Sequence, residues 1–203
     1  VLVAHAWAGQ SDFERGKADW LASLGYAGFA VDVYGKGQRG ETTEECQALM
    51  TPLAENRTEL QSRLSHALDV AKAASGVDKA AAIGFCFGGL SVLDMARTNM
   101  AVEGVVSFHG LFGAPGNTAD KVTPKVLALH GWDDPMATPD DVMALSKEMS
   151  AASADWTLYA YGGTMHAFTN PEANNPDFGT VYSPTAERRS FAAAEDFLNE
   201  VLG

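Results

Sequence analysis

The chain has 203 residues, an ordinary length for one α/β domain with a well-buried core, so we expect a single domain over residues 1–203. Its net charge of -12 and pI near 4.7 argue against nucleic acid or an anionic membrane as partner, because both attract basic surfaces. No apolar stretch reaches the roughly 20 residues of a membrane helix and no leader pattern is present, so we expect a cytoplasmic protein that binds small molecules.

Strand and helix patterns alternate along the chain. It opens on an apolar strand without an initiator methionine, so we expect an N-terminal segment to be missing. A capping box at Ser11-x-x-Glu14 begins the first helix, and Pro52 marks a break or a new first turn in a long helical stretch. In chain order the predicted elements are strand 1–4, helix 11–24, strand 26–33, helix 42–74, strand 80–83, helix 90–96, strands 102–108 and 125–130, a helix beginning near Thr138, strand 156–161 and helix 184–202. This order predicts a doubly wound, mostly parallel sheet with helices on both faces and functional residues at the carboxyl ends of strands.

Cys86 lies in the segment Gly84-Phe85-Cys86-Phe87-Gly88-Gly89, between a predicted strand and a predicted helix. This is the layout of a nucleophile elbow with cysteine in place of serine. The turn is so tight that the positions two residues before and after the nucleophile have no room for a Cβ atom, and both are glycine here. Cys46 falls in a polar helical stretch, and two cysteines make a poor disulfide framework, so we predict free thiols.

An elbow nucleophile works with an acid and a histidine that come later in the chain. The loop after strand 125–130 contains His130-Gly131-Trp132-Asp133-Asp134-Pro135, and the loop after strand 156–161 contains His166. We predict that His166 takes the thiol proton of Cys86 and that a carboxylate holds the imidazole in the useful tautomer. Spacing alone does not rank Asp133 against Asp134.

The oxyanion that forms during attack needs backbone N–H donors. The residue after the nucleophile, Phe87, is one candidate, and the loop after the first strand offers a second from Ala6 or Trp7.

The chain resembles the dienelactone hydrolase family, the cysteine-dependent branch of the α/β-hydrolases, over nearly its whole length. The matching stretches are Val3-Ala4-His5-Ala6-Trp7-Ala8-Gly9, Val31-Asp32-Val33-Tyr34-Gly35, Gly84-Phe85-Cys86-Phe87-Gly88-Gly89, His130-Gly131-Trp132-Asp133-Asp134-Pro135 and His166-Ala167-Phe168-Thr169-Asn170-Pro171. The resemblance implies an α/β-hydrolase fold that lacks short strands before Val1, and hydrolysis of an ester or lactone without a cofactor. It assigns the triad to Cys86, Asp134 and His166. We expect a monomer or a weak homodimer.

The resemblance also bears on the substrate. Family members that act on dienelactone carry a glutamate where this chain has Ala6, and two arginines where it has Lys36 and Asn170. Lysine is a point charge and asparagine is uncharged, so the resemblance implies ester or lactone hydrolysis more firmly than recognition of an anionic lactone. Aromatic and apolar side chains in the site loops predict an apolar pocket wall: Trp7, Tyr34, Phe85, Phe87, Trp132, Met136 and Phe168. The predicted substrate-binding residues are Lys36, Tyr34, Trp7, Phe168 and Asn170.

Two other interpretations remain open at this point. The missing carboxylate at Ala6 is also expected of a small-molecule binding or sensor protein that has lost turnover, and an incomplete fold would need missing strands or a partner chain for activity. His5, His109 and His130 all fall at predicted strand ends. No HExxH motif or short-spaced ligand pair accompanies them, so we predict structural roles and no metal site.

Overall fold

A six-stranded parallel sheet forms the centre of the protein in the computed structural model, which describes residues 1–203. The strands are β1 (Leu2–Ala4), β2 (Phe29–Val31), β3 (Ala81–Phe85), β4 (Gly104–Phe108), β5 (Lys125–Gly131) and β6 (Trp156–Tyr161). Their order across the sheet is β2-β1-β3-β4-β5-β6, and each neighbouring pair is parallel. The chain builds outward from β1 to β2 and then crosses back to β3, which places a topological switch point at β1 and β3.

Helices cover both faces of this sheet, as predicted. They are α1 (Asp12–Ser23), α2 (Thr43–Glu55), α3 (Arg57–Ser75), α4 (Phe87–Arg97), α5 (Pro139–Ala151) and α6 (Pro184–Leu202). Buried side chains of α2 to α5 form one apolar cluster, and those of α1 and α6 form a second. Successive side chains of a strand point to opposite faces, so Ala82 joins the first cluster while its neighbours Ala81 and Ile83 join the second. No helix has the length and apolar character needed to span a membrane.

The helix starts follow the predicted capping signals. Glu14 accepts hydrogen bonds from the backbone N–H and the hydroxyl of Ser11 at 2.8 and 2.6 Å, which completes the capping box of α1. Thr138 caps α5, and Pro139 occupies its first turn. Proline lacks an N–H, but no helix hydrogen bond is lost there because an N–H in the first turn has no acceptor within the helix.

Two predicted boundaries were wrong. Pro52 lies inside α2, and the helical stretch breaks instead at Asn56, because the side chain of Asn56 accepts from the N–H of Glu59 and starts α3. Strand β2 covers three residues rather than the predicted eight, because Asp32 accepts hydrogen bonds from the N–H groups of Tyr34 and Gly35 and turns the chain out of the sheet.

A short antiparallel hairpin, β7 (Asn174–Asn175) with β8 (Thr180–Val181), lies between β6 and α6. The sequence did not predict it, because two-residue strands carry no recognisable alternation of apolar and polar side chains.

A buried ionic network ties α4 to its surroundings. Asp94 is fully buried and accepts hydrogen bonds from Arg57 Nε at 2.7 Å and from Arg97 Nη1 at 3.4 Å. Arg97 also donates to Glu148 on α5 and to the backbone oxygens of Phe112 and Gly113. These bonds fix the helix that follows Cys86 against the loop that follows β4.

Candidate active site

Cys86 occupies the sharp turn between β3 and α4. Its backbone lies in the positive-φ region, with φ 56 and ψ -114, which is strained for a residue with a side chain. A Cβ atom on Gly84 would lie 2.1 Å from the carbonyl oxygen of Gly88, and one on Gly88 would lie 2.1 Å from that of Ala4. The backbone N–H of Cys86 donates to Phe108 O at 3.1 Å. The fold therefore has room for the turn only with glycine at both flanking positions.

A cavity of about 660 Å³ opens above this turn and contains both Cys86 and His166 in its lining. More than half of its lining residues are hydrophobic. The predicted residues Trp7, Met136 and Asn170 line it as well. Since segments after all six strands of the sheet supply the lining, the cavity lies at the carboxyl edge of the sheet, where ligands of open α/β sheets bind.

His166 is paired with one of the two candidate acids. Its Nδ1 lies 2.7 Å from Oδ2 of Asp134, and both side chains are buried. Oδ1 of Asp134 accepts from the N–H of Met136 at 2.7 Å, so the carboxylate is held on both oxygens. Asp133 is exposed and has no hydrogen bond to the histidine. The loop geometry thus places Asp134, and not Asp133, beside the imidazole.

The electrostatics of His166 favour its protonated form. Burial lowers the pKa of the imidazole, but the charge of an ionised Cys86 and the hydrogen bond to Asp134 outweigh burial and raise the pKa of His166 to about 10. Nε2 of the ring is buried and has no hydrogen-bond partner in the protein. The arrangement can therefore hold a proton on His166 while the neighbouring sulfur carries a negative charge.

The two candidate oxyanion donors in the first loop differ in whether they are free. The N–H of Ala6 donates to Oε1 of Glu14 at 3.3 Å, whereas the N–H of Trp7 makes no hydrogen bond within the protein. Phe87 is the first residue of α4, where an N–H has no intrahelical acceptor. The amides of Trp7 and Phe87 thus remain available to an oxyanion.

Three of the predicted substrate-binding residues do not line the cavity. Lys36 is exposed on the loop after β2. The hydroxyl of Tyr34 donates to the backbone oxygen of Trp7 at 2.9 Å, so the side chain supports the oxyanion loop from behind. Phe168 is fully buried and packs edge-on against His109 at 5.1 Å, beneath the site. The prediction that these three residues contact the substrate was therefore wrong. It was made from their positions next to motifs, which do not reveal which way a side chain points.

Among the lining residues that were not predicted to take part, four have chemically distinctive side chains. Glu14 is buried at the cavity wall, although the sequence indicated only its capping role. Arg39 is the only lysine or arginine in the lining, three residues after Lys36. His109 lines the cavity with its ring 5.2 Å from that of His166, and Phe178 reaches it from the β7–β8 hairpin. Only His109 carried a signal, namely a polar residue directly after a buried strand.

The three histidines at the strand ends contact different neighbours. His5 accepts from the N–H of Val33 through Nε2 and contacts the backbone oxygen of Ala6 through Nδ1. Nε2 of His109 lies 2.8 Å from the hydroxyl of Thr169, and His130 is fully buried against Phe112. No group of three histidine, cysteine or acidic side chains comes together in a way that could hold a metal ion.

Comparison with known proteins identifies the family. The family model described as the dienelactone hydrolase family matches residues 1–202. The chain belongs to the dienelactone hydrolase family. An uncharacterized protein of Caenorhabditis elegans is 37% identical over 151 residues, which cover 70% of this chain and 94% of that protein.

Two further relatives have names that refer to chemistry. A protein of Saccharolobus solfataricus, provisionally named a carboxymethylenebutenolidase, is 30% identical over 62% of this chain and 46% of its own length. The crystal structure of a dienelactone hydrolase-like promiscuous phosphotriesterase from metagenomic libraries is 32% identical, with a TM-score of 0.92 over 100% of this chain and 86% of that one. Membership in the dienelactone hydrolase family confirms the predicted α/β-hydrolase fold and makes the chain a hydrolase of the small-ester and lactone class.

Proposed function

We propose that the protein hydrolyses a small carboxylic ester or lactone through a Cys86 acyl-enzyme, with His166 as the base and Asp134 as its orienting acid. In the first step the sulfur of Cys86, whose proton is held on Nε2 of His166, attacks the carbonyl carbon of the substrate. The C–O bond of the tetrahedral intermediate then breaks, and His166 returns the proton to the leaving alkoxide. In a lactone the leaving oxygen stays attached to the acyl group.

In the second step water cleaves the thioester. His166 takes a proton from the water as its oxygen attacks the acyl carbon, and the C–S bond breaks with return of that proton to the sulfur. The acid product leaves and Cys86 is regenerated. The N–H groups of Trp7 and Phe87 donate to the oxyanion in both steps, and one such donor contributes about 100- to 1000-fold to the rate. Each step uses only the chain's own groups and water.

One observation carries this proposal. A cysteine with φ 56 is held by two glycines that tolerate no Cβ, at the base of the cavity that also contains the histidine bonded to Asp134. Strained backbone persists where the surrounding structure forces it, and such positions cluster at active sites. A cysteine kept only for packing would need none of this geometry.

The test compares the two cysteines of the chain. Both thiols are buried, but we expect iodoacetamide to label one rapidly, because Cys86 lines the cavity whereas Cys46 lies outside it and packs against Gly40. Cys86→Ala should abolish hydrolysis of p-nitrophenyl acetate and of a small lactone, with the thermal unfolding midpoint retained. Cys46→Ala serves as the matched control and should hydrolyse both. Turnover by Cys86→Ala would refute the assignment of the nucleophile.

The same experiment addresses the interpretation as a binding or sensor protein. If Cys86 is labelled stoichiometrically but a broad panel of esters and lactones is not hydrolysed, turnover has been lost and the sensor interpretation stands. Release of product together with a trapped acyl-cysteine, seen by mass spectrometry, would instead support the enzyme.

A second candidate activity is cleavage of phosphotriesters. It is favoured by the relative of 32% identity that is named a promiscuous phosphotriesterase. The same thiolate would displace the alcohol from phosphorus, and water would then cleave the phosphoryl-sulfur bond. Diethyl p-nitrophenyl phosphate tests this: burst release of one nitrophenol per Cys86 without turnover would show a stable phosphorylated thiol and contradict the activity.

A further inference from the structure

Phe178 at the β7–β8 hairpin has an unusual environment for a large apolar side chain. It lines the cavity of Cys86 and is 42% exposed. Its ring stacks on that of Trp7, with centroids 5.8 Å apart and planes inclined by 23°. The two rings stack face to face, and we call this stacked pair the aromatic wall. Exposed aromatic surface within a concave site is typical of ligand contact.

The hairpin that carries Phe178 is rigidly attached. The N–H of Phe178 donates to Oδ1 of Asn175 at 3.1 Å. The next residue, Gly179, has φ +85, and a Cβ atom there would lie 2.1 Å from Cγ of Pro135. The hairpin therefore packs directly on the loop of Asp134, and it presents Phe178 without the entropy loss of ordering a mobile segment.

Hydrogen bonds also join the hairpin to the backbone of the proposed base. The N–H of His166 donates to Gly179 O at 2.9 Å, and the N–H of Val181 donates to His166 O at 3.1 Å. On the other side of the aromatic wall, Trp7 supplies the free N–H that we assign to the oxyanion. A group lying against the aromatic wall is thus placed between the residue that would bind the carbonyl oxygen and the segment that holds the imidazole.

We propose that the aromatic wall of Trp7 and Phe178 is a subsite for an aryl group of the substrate, so that esters with a larger planar aryl group are preferred over esters with a smaller one. This inference rests on the proposed esterase function. A flat ring gains by offset stacking on Phe178 beyond the burial of its apolar area. Stacking and the burial of apolar area together favour the larger planar group by about 10-fold in kcat/KM, mainly through KM.

The test uses two esters whose alcohols have similar acidity, phenyl acetate and 2-naphthyl acetate, so that their chemical steps are matched. Wild type should prefer the naphthyl ester. Phe178→Ala should lose about 10-fold of that preference. Phe178→Leu should lose the part that comes from stacking, because leucine is apolar but not flat, and Phe178→Tyr should keep the preference. Tyr159→Ala is the control, since Tyr159 is a similarly exposed aromatic that lies outside the cavity. Its preference should equal that of wild type.

Two results would overturn the subsite: an unchanged preference in Phe178→Ala, or full retention by Phe178→Leu, which would mean that any apolar side chain suffices. The rate of Cys86 labelling by iodoacetamide should stay constant across the Phe178 variants, and a change there would mean that the hairpin distorts the triad instead. If wild type hydrolyses neither ester, the esterase proposal fails separately. Calorimetric binding of 2-naphthyl acetate to Cys86→Ala with and without Phe178→Ala then decides the subsite, and equal or absent binding overturns it.

Discussion

Replacement of Asp134 by asparagine tests the proposed triad through the tautomer of His166. In the wild type, Oδ1 of Asp134 accepts from the N–H of Met136, and Oδ2 lies 2.7 Å from Nδ1 of His166. In Asp134→Asn the amide oxygen must remain on the side of the Met136 N–H, because an NH2 group there would face another donor. The NH2 group therefore faces Nδ1 and donates to it, which forces the imidazole proton onto Nε2.

An imidazole protonated on Nε2 cannot accept the thiol proton. In Ser-His-Asp triads the same change lowers kcat about 10,000-fold, or about 5 kcal/mol. A thiol depends less on its base than a hydroxyl does, so we expect a loss of about 100- to 1000-fold here, or about 3 to 4 kcal/mol. The pKa of His166 should also fall from about 10. Burial lowers this pKa, and asparagine lacks the negative charge with which Asp134 raises it.

The assay is kcat/KM for p-nitrophenyl acetate between pH 6 and 9, together with the titration of the His166 ring protons by NMR. Asp133→Asn is the matched control, because it makes the same chemical change in the adjacent exposed residue and should leave both measurements unchanged. A loss below about 10-fold in Asp134→Asn, or an equal loss in Asp133→Asn, would refute the assigned acid.

Two further predictions concern the fold. Burial lowers the pKa of His109 well below 6.5, so below that pH the unfolded chain binds a proton that the folded protein does not, and stability falls as the pH falls. Chemical denaturation should show that the free energy of unfolding falls between pH 7.0 and pH 5.5. This fall should be about 1.4 kcal/mol smaller in His109→Phe but not in the exposed control His66→Gln. Equal falls in the two variants would contradict the prediction. Gly88→Ala should abolish activity and folding, because the new Cβ atom would collide with the carbonyl oxygen of Ala4. Gly16→Ala in α1 has open space around it, and thermal unfolding should show a stability about 1 kcal/mol higher. A fully active Gly88→Ala protein would contradict the proposed tight turn.

The elements that local chemistry dictates could be predicted from the residues alone. The capping box at Ser11 and Glu14, the alternation of strands and helices, and the glycine-flanked turn at Cys86 each depend on neighbours within a few positions of the chain. That nucleophile, acid and base meet at one place follows from the parallel sheet, since all carboxyl ends of its strands lie at one edge.

Other features required the packed molecule, because they depend on which way a side chain points and on contacts between distant segments. Asp133 and Asp134 are chemically identical neighbours, and only the loop conformation buries one of them against His166. Lys36 and Arg39 lie on the same loop, yet only Arg39 lines the cavity. The aromatic wall joins positions 171 residues apart through a hairpin too short to leave a pattern in the sequence. Cys86 could thus be located from local sequence alone, whereas the shape of the cavity around it is a product of tertiary packing.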